Sequence, residues 1–453
     1  MSDTRNKPTA AVIVGLGITG LSCVRYLLAH GWRVCVTDSR EDPPGRAELE
    51  RLAADVTVRF GGLDLSLLDE AVCVVASPGV PLSDPFFTEA RRRGITVSGD
   101  IEMFAVAADA PVVGITGTNG KSTVTTLVAR MAARAGVRAR VGGNLGEPAL
   151  DLLMAAQADA QPTELYVLEL SSYQLEATYS LDLRAATVLN VTPDHLDRYA
   201  SMADYAAAKA RIFARCDTAV INLDDPLVAA MPHKAARIIG FSLGGAPGAD
   251  YTLESRAGGQ SWLVRRGEPL LAVSSMRLTG LHNAANALAA LALGEALGLP
   301  LAAMLDELRS FSGLPHRAQW VADVGGVSYV DDSKGTNVGA TLAAVAGMPG
   351  PLIVIAGGDG KSQDFAPLRE AFRGKVRHVV LIGRDAPAIA EALDNVCPIQ
   401  RSGSMPEAVR AAAKVARPGD TVLLSPACAS LDMFRNYAHR GEVFSSAVRE
   451  LAA

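Results

Sequence analysis

The chain has 453 residues, 43 Lys and Arg against 48 Asp and Glu, a formal charge of −5, and 49% apolar residues. This argues for two or three domains with real cores and excludes a disordered chain. With both charge signs scattered and no basic stripe, a nucleic-acid partner finds no support, and no stretch is long and apolar enough to span a membrane. Six cysteines without a C-x-x-C pair fit a reduced, cytoplasmic setting with no zinc site.

The segment RNKPTAAVIVGLGITGLSCV opens with charges before an apolar run, as a signal peptide does. It also carries G-x-G-x-x-G (Gly15–Gly20), leads into helix-like LSCVRYLLAHG, and is followed by the strand RVCVTDS, so we read it as a buried first strand. Asp38 ends the second strand, where a ribose-binding acid would sit. NAD, a ligand-free tight turn and another diphosphate such as a UDP-sugar all fit this loop. The segment GITVSGDIEMF closes the series near Gly99, the first expected boundary.

A second series opens with APVVGITG and continues through GTNGKSTVTT. The usual phosphate loop, G-x-x-x-x-G-K-[ST], needs glycine five places before Gly120, and Ile115 stands there. Gly117, Thr118, Asn119 and Gly120 still expose backbone N–H groups to phosphate, Lys121 can neutralise it, and Ser122 or Thr123 can offer a hydroxyl to Mg²⁺. The strand ELYVLELSS places Glu169 beside this loop. Residues 242–273 read as hairpins, a small antiparallel part, and a helical run over Asn283–Leu308 precedes a second boundary near Gly313.

The third series contains PLIVIAGG, HVVLIGR and DTVLLSPA. Its near-copy of the loop, GGDGKS (Gly357–Ser362), lacks the double hydroxyl and fails the same spelling test. We expect an accessory loop, with Lys361 a substrate contact or the loop a simple turn, and a helix starting after Asp364. Continuous apolar strands alternating with helices make the fold class α/β with largely parallel sheets. The expected domains are 1–99, 100–312 and 313–453.

Seven further segments carry a resemblance: LELSSYQLE, LNVTPDHLDRY, YAAAKARIF, LTGLHNAANALAA, GLPHRAQ, VDDSKGTNVGA and LLSPACASLDMFRNYAHRGEVF. With GTNGKST they resemble the Mur ligases, the ATP-dependent amino-acid-adding enzymes of peptidoglycan synthesis, across essentially the whole chain. GLGITG, DSKGTN and SPACASLDMF look like the member that adds D-glutamate. The resemblance implies a Rossmann-like UDP-sugar domain, a central ATPase domain and a Rossmann-like C-terminal domain. It also implies a cytoplasmic monomer acting on UDP-N-acetylmuramoyl-L-alanine and D-glutamate with ATP and two Mg²⁺ ions.

By the same resemblance, Lys121 and the Gly117–Gly120 backbone hold phosphate. Ser122, Glu169 and His195 ligate Mg²⁺, and Lys209 carries a carbamate from CO₂ that helps to hold the ions; read alone, Lys209 is an exposed helical lysine. Asn283, Arg317 and Asp332 match ATP contacts, with His282 a weaker match; Asn283 and Asn286 read alone are helix caps. Lys334, Thr336, Ser430 and Tyr437 match the D-glutamate pocket with Lys361 nearby, although the family often has Phe at the position of Tyr437. Leu16, Thr19, Asp38, Ser39, Arg40, Ser77 and Gly79 match the UDP-sugar site, with Asn144 and His195 nearer the reacting end.

Two other classes compete. A nicotinamide dehydrogenase would use Gly15–Gly20 but leaves GTNGKST unexplained. A non-catalytic UDP-sugar sensor would have lost Lys121, Glu169, His195 and Lys209. Folylpolyglutamate synthetase shares the ATPase core, but the UDP-type first domain argues against it.

Overall fold

The computed structural model describes residues 10–52, 56–256, 259–278, 280–348 and 350–452. The charged start of RNKPTAAVIV, Ala257 and Gly258 of the hairpin segment, and Thr279 of LTGLHNAANALAA lie outside the described residues.

The β-branched runs form three sheets. In the first, β1 (Ala10–Val14), β2 (Arg33–Asp38), β3 (Thr57–Phe60), β4 (Ala71–Ala76) and β5 (Thr96–Gly99) lie in the order β3-β2-β1-β4-β5. Every pairing is parallel. Strand order reverses between β1 and β4, and such a reversal opens a crevice at the carboxyl ends of the strands. Gly15 and Ser77 stand there, and the Ser77 hydroxyl donates to the Gly15 carbonyl at 2.7 Å.

The second sheet contains β6 (Val112–Thr116), β7 (Ala139–Gly143), β8 (Leu165–Glu169), β9 (Leu183–Val188), β10 (Cys216–Asn222), β11 (Arg237–Ser242), β12 (Tyr251–Arg256), β13 (Gln260–Arg265) and β14 (Glu268–Ala272). Its order is β14-β13-β12-β11-β10-β9-β6-β8-β7. The expected antiparallel part is the meander β12-β13-β14 at one edge. The expected helical run is two helices, Leu281–Ala296 and Leu301–Ser310. Gly298, at φ 73°, and Pro300 break it, since neither residue continues a helix easily.

The third sheet, β15 (Gln319–Val324), β16 (Val327–Asp331), β17 (Leu352–Gly357), β18 (Val376–Ile382), β19 (Ile399–Arg401) and β20 (Thr421–Leu424), has the order β15-β16-β20-β17-β18-β19. All its pairs are parallel except β15-β16.

The cores are distributed unequally. Ile13, Leu21 and Val24 of the first domain belong to one continuous apolar cluster with Phe104, Leu150 and Tyr166. Beyond the second sheet, two further clusters are built entirely from residues after position 317.

Candidate active site

The irregular spelling of GITGTNGKST has a packing explanation. Gly114 lies inside β6, where an added Cβ would come 2.8 Å from Leu183 Cδ1, so this glycine belongs to the sheet. The loop itself uses Gly117 (φ 148°) and Gly120 (φ 85°), conformations that L side chains rarely adopt. A Cβ on Gly120 would meet Asn286 Oδ1 at 2.4 Å. Helix Lys121–Arg134 begins immediately afterwards, so its N-terminus faces the loop and favours anions.

Around this loop the central domain gathers its polar side chains. Lys121 Nζ donates to the carbonyls of Gly117 and Thr118, both at 2.8 Å. The Glu169 carboxylate accepts from Ser122 Oγ at 2.5 Å and from Asn144 Nδ2 at 2.6 Å. Burial opposes ionisation of Glu169, yet Lys121, Ser122 and Asn144 hold its carboxyl below the usual range.

Lys209 is not the exposed lysine that its helix suggests. It is 2% exposed, donates to the Gly117 carbonyl at 3.0 Å, and lies 4.5 Å from the centre of the Tyr205 ring. Desolvation, reinforced by Lys121, pushes its ammonium well below the ordinary lysine value. His195 sits in a left-handed conformation (φ 56°), with Nδ1 sharing a hydrogen bond with the Tyr173 hydroxyl at 2.7 Å. Burial lowers its pKa to about 4, so the imidazole is neutral at pH 7. Asp194 accepts from Asn337 Nδ2 at 3.1 Å and from Lys361 Nζ at 3.4 Å.

These side chains, apart from the buried Ser122 behind Glu169, line a cavity of about 250 Å³ closed by the third domain. That domain contributes Arg317, Lys334, Thr336, Asn337 and Lys361 to its wall. Arg317 Nη2 reaches Ser122 Oγ at 2.7 Å, and Lys334 Nζ stacks 3.8 Å from the Tyr437 ring centre. Burial lowers the Lys334 pKa to about 7 and raises that of Asp332 to about 7. A second cavity, about 210 Å³, adjoins the glycine loop and is lined in part by Thr123, His282, Asn283, Asn286, Arg317 and Asp332.

Two expected groups lie elsewhere. Ser430 and Tyr437 line neither cavity, although Tyr437 holds Lys334. Leu16, Thr19, Asp38, Ser39, Arg40, Ser77 and Gly79 cluster at the carboxyl ends of β1, β2 and β4. There the Asp38 carboxylate is already engaged by the Leu16 N–H at 2.7 Å and by Arg40 Nε and Nη2 at 2.8 and 2.7 Å.

The near-copy GGDGKS has a different backbone. Lys361 and Ser362 are both left-handed, at φ 50° and 58°. The helix expected after Asp364 begins only at Leu368 and ends at Phe372. Pro367, which has no N–H, precedes it, and the Asp364 carboxylate is spent on the Ala366 N–H at 2.9 Å.

Sequence reasoning missed several residues that build the site. Tyr173, Arg198 and Asn337 stand inside motifs quoted for their neighbours, yet nothing in the strings marks their contacts. Arg440 is fully buried and donates to the carbonyls of Ser333 at 2.7 Å and Cys428 at 3.0 Å. It thereby ties DSKGTN to SPACAS.

Family models match three consecutive regions: Mur ligase MurD-like N-terminal domain at residues 9–99, Mur ligase middle domain at 115–294, and Mur ligase glutamate ligase domain at 316–428. With the long, near-half-identical relatives described next, these matches mean that the chain belongs to the Mur ligase family. It is 53% identical over 443 residues to UDP-N-acetylmuramoylalanine--D-glutamate ligase of Nitrosococcus oceani, covering 97% of this chain and 96% of that one. It is 51% identical to the enzyme of the same name from Pseudomonas aeruginosa, covering 97% and 98%. Among solved structures, UDP-N-acetylmuramate-alanine ligase of Thermotoga maritima shares the fold with a TM-score of 0.61 at 20% identity, over 97% of this chain and 99% of that one.

Proposed function

We propose that the chain is an ATP-dependent ligase that adds D-glutamate to UDP-N-acetylmuramoyl-L-alanine in peptidoglycan precursor synthesis, and that its domains are 1–99, 100–312 and 313–453. The observation that carries this reading is the cavity in which Lys121, Glu169, His195 and Lys209 of the central domain face Lys334, Thr336 and Lys361 of the third. Relatives at about 50% identity over nearly the whole chain bear the name of this reaction.

The chemistry follows from the parts. The alanyl carboxylate oxygen attacks the terminal phosphorus of ATP, giving an acyl phosphate and ADP. The D-glutamate amine, having lost a proton, then attacks the acyl carbon, and phosphate leaves as the amide forms. The glycine loop and Lys121 carry phosphate charge, and Arg317 reaches over Ser122 to the same place. The second cavity suits the adenosine, with Asn283, Arg317 and Asp332 as contacts. Lys334, Thr336 and Lys361 offer cations and a hydroxyl to the D-glutamate carboxylates, with Ser430 and Tyr437 supporting them. The first domain binds the UDP-sugar at the strand-order reversal.

Mg²⁺ fits the donors present. Among the described residues there is no group of three or more His, Cys, Asp and Glu side chains able to hold a metal alone. Ser122, Glu169 and neutral His195 offer a partial set that phosphate oxygens would complete. A carbamate on Lys209 would add a carboxylate, and its formation needs the neutral amine that burial favours. When bound, the ions neutralise the charge that builds on the transferred phosphoryl group. We assign the enzyme to the cytoplasm as a monomer.

The test is release of ADP and phosphate by the purified chain given ATP, Mg²⁺, bicarbonate, UDP-N-acetylmuramoyl-L-alanine and D-glutamate. Release that requires both the sugar nucleotide and D-glutamate is expected; no release overturns the reading.

A further inference from the structure

Arg198 links two regions that the reaction must coordinate. Its Nη1 donates to the Pro78 carbonyl at 2.7 Å, and Pro78 lies between Ser77 and Gly79 at the crevice of the first domain. The same guanidinium lies 3.9 Å from the centre of the Tyr173 ring, and its Nη2 pairs with Glu176 at 3.0 Å. The Tyr173 hydroxyl bonds His195 Nδ1 at 2.7 Å, and the His195 carbonyl accepts from the Arg198 N–H at 3.0 Å. A closed circuit therefore runs from Arg198 through Tyr173 to His195 and back to Arg198, tied to the crevice loop by the Pro78 bond.

The helix that carries Tyr173, Ser172–Glu176, is anchored at the same junction. The Gln174 amide oxygen accepts from the Ser171 N–H at 3.1 Å. Its nitrogen donates at 3.0 Å to Asp100, the first residue after β5. Tyr173 has little freedom to move independently of the junction, and a shift of the Ser77–Gly79 loop is passed on through Arg198.

Resting on the function proposed above, we infer that Arg198 and Tyr173 are positioning residues that make the setting of the His195 ring depend on occupancy of the Ser77–Gly79 loop by the sugar nucleotide. His195 stands in a strained left-handed conformation, which neighbours must impose. Arg198 supplies the coupling because it contacts both the loop backbone and the ring that holds the imidazole. Arg198 lines neither cavity and Tyr173 only the wall of the larger one, and both act on His195 through the contacts above, so their effect is on geometry, to which rate is steeply sensitive.

The experiment compares Arg198→Met, Tyr173→Phe and the double variant with wild type. Steady-state kinetics should show each single variant losing about tenfold in kcat, with the KM for ATP within about twofold of wild type. The double variant should lose no more kcat than the worse single, since both break one circuit. A second readout needs no turnover. Among the seven histidines, the His195 imidazole ¹⁵N signals are assigned by their absence from His195→Gln. Addition of UDP-N-acetylmuramoyl-L-alanine alone, without ATP or Mg²⁺, should shift them in wild type and leave them in place in Arg198→Met.

A shift of full size in Arg198→Met, additive kcat losses, or variants that match wild type overturn the inference while wild-type turnover leaves the ligase reading intact. A wild type that neither binds nor turns over the sugar nucleotide sinks both. If Arg198→Met does not fold, Tyr173→Phe, which deletes one hydroxyl, decides the matter through the same two readouts.

Discussion

The chain writes nearly the same word twice, GTNGKS and GGDGKS, and folds it in two ways. In the first copy Lys121 is the opening residue of a helix, and the loop presents its backbone to the cavity. In the second, Lys361 is left-handed and no helix follows directly. The backbone N–H groups that could have met an anion are taken internally: Gly360 donates to Asp385 at 2.6 Å and Lys361 to Asp359 at 3.1 Å. In the first loop the N–H groups of Thr118 and Asn119 are likewise engaged, by the Asn190 carbonyl at 2.9 Å and its Oδ1 at 2.8 Å. What separates the copies is therefore the helix that begins at Lys121, whose first-turn N–H groups and dipole the letters alone do not supply. The second copy keeps only its lysine for the site, where Lys361 meets Asp194 across the domain junction.

Substitutions at matched positions sharpen this contrast. Lys121→Ala should abolish ATP-dependent phosphate release, a loss of about a thousandfold or more, because Lys121 is the cation held on the Gly117 and Thr118 carbonyls within the loop itself; full activity would break the comparison. On the proposed carbamate, Lys209→Ala should be inactive and partly recovered by short carboxylic acids, which would stand in for that anion beside the first loop. Rescue measured against carboxylate concentration checks this, and the second loop has no counterpart. On the proposed function, which places Lys361 against the amino acid and not the nucleotide, Lys361→Ala should lose about ten- to a hundredfold, chiefly through the KM for D-glutamate with that for ATP unchanged. Smallest of all, Asp385→Ala should lower unfolding stability by about 1 kcal/mol in urea titration, through loss of the Gly360 hydrogen bond, and leave the KM for ATP unaltered.

Much of this was legible in the sequence. Runs such as AAVIV, LYVLE and LIVIAG announce parallel strands because both faces are covered, and the turns at their ends place Gly15, Gly117 and Glu169 correctly. What the strings hid depends on partners distant in sequence. Gly114 stands one place before the position where the usual loop needs its first glycine, and it is a packing glycine against Leu183. Lys209 looked exposed because the loop that covers it lies 92 residues away. Arg440 carries no local signal of burial; its partners, Ser333 and Cys428, come from two other loops. The conformation of GGDGKS is decided by Asp385, 25 residues further on.

The apolar cluster that runs without interruption from Ile13 to Tyr166 has a mechanical consequence. Prising the first domain off its neighbour would wet that cluster, at about 25 cal/mol for each Å² exposed. The third domain keeps its own separate cores, and bonds such as Lys361 to Asp194 and Arg317 to Ser122 can be exchanged for water. One joint is therefore welded and the other buttoned: on the proposed function, the domain assigned to the sugar nucleotide is fixed to its neighbour through a shared core, while the domain assigned to the amino acid is held by bonds that water can replace.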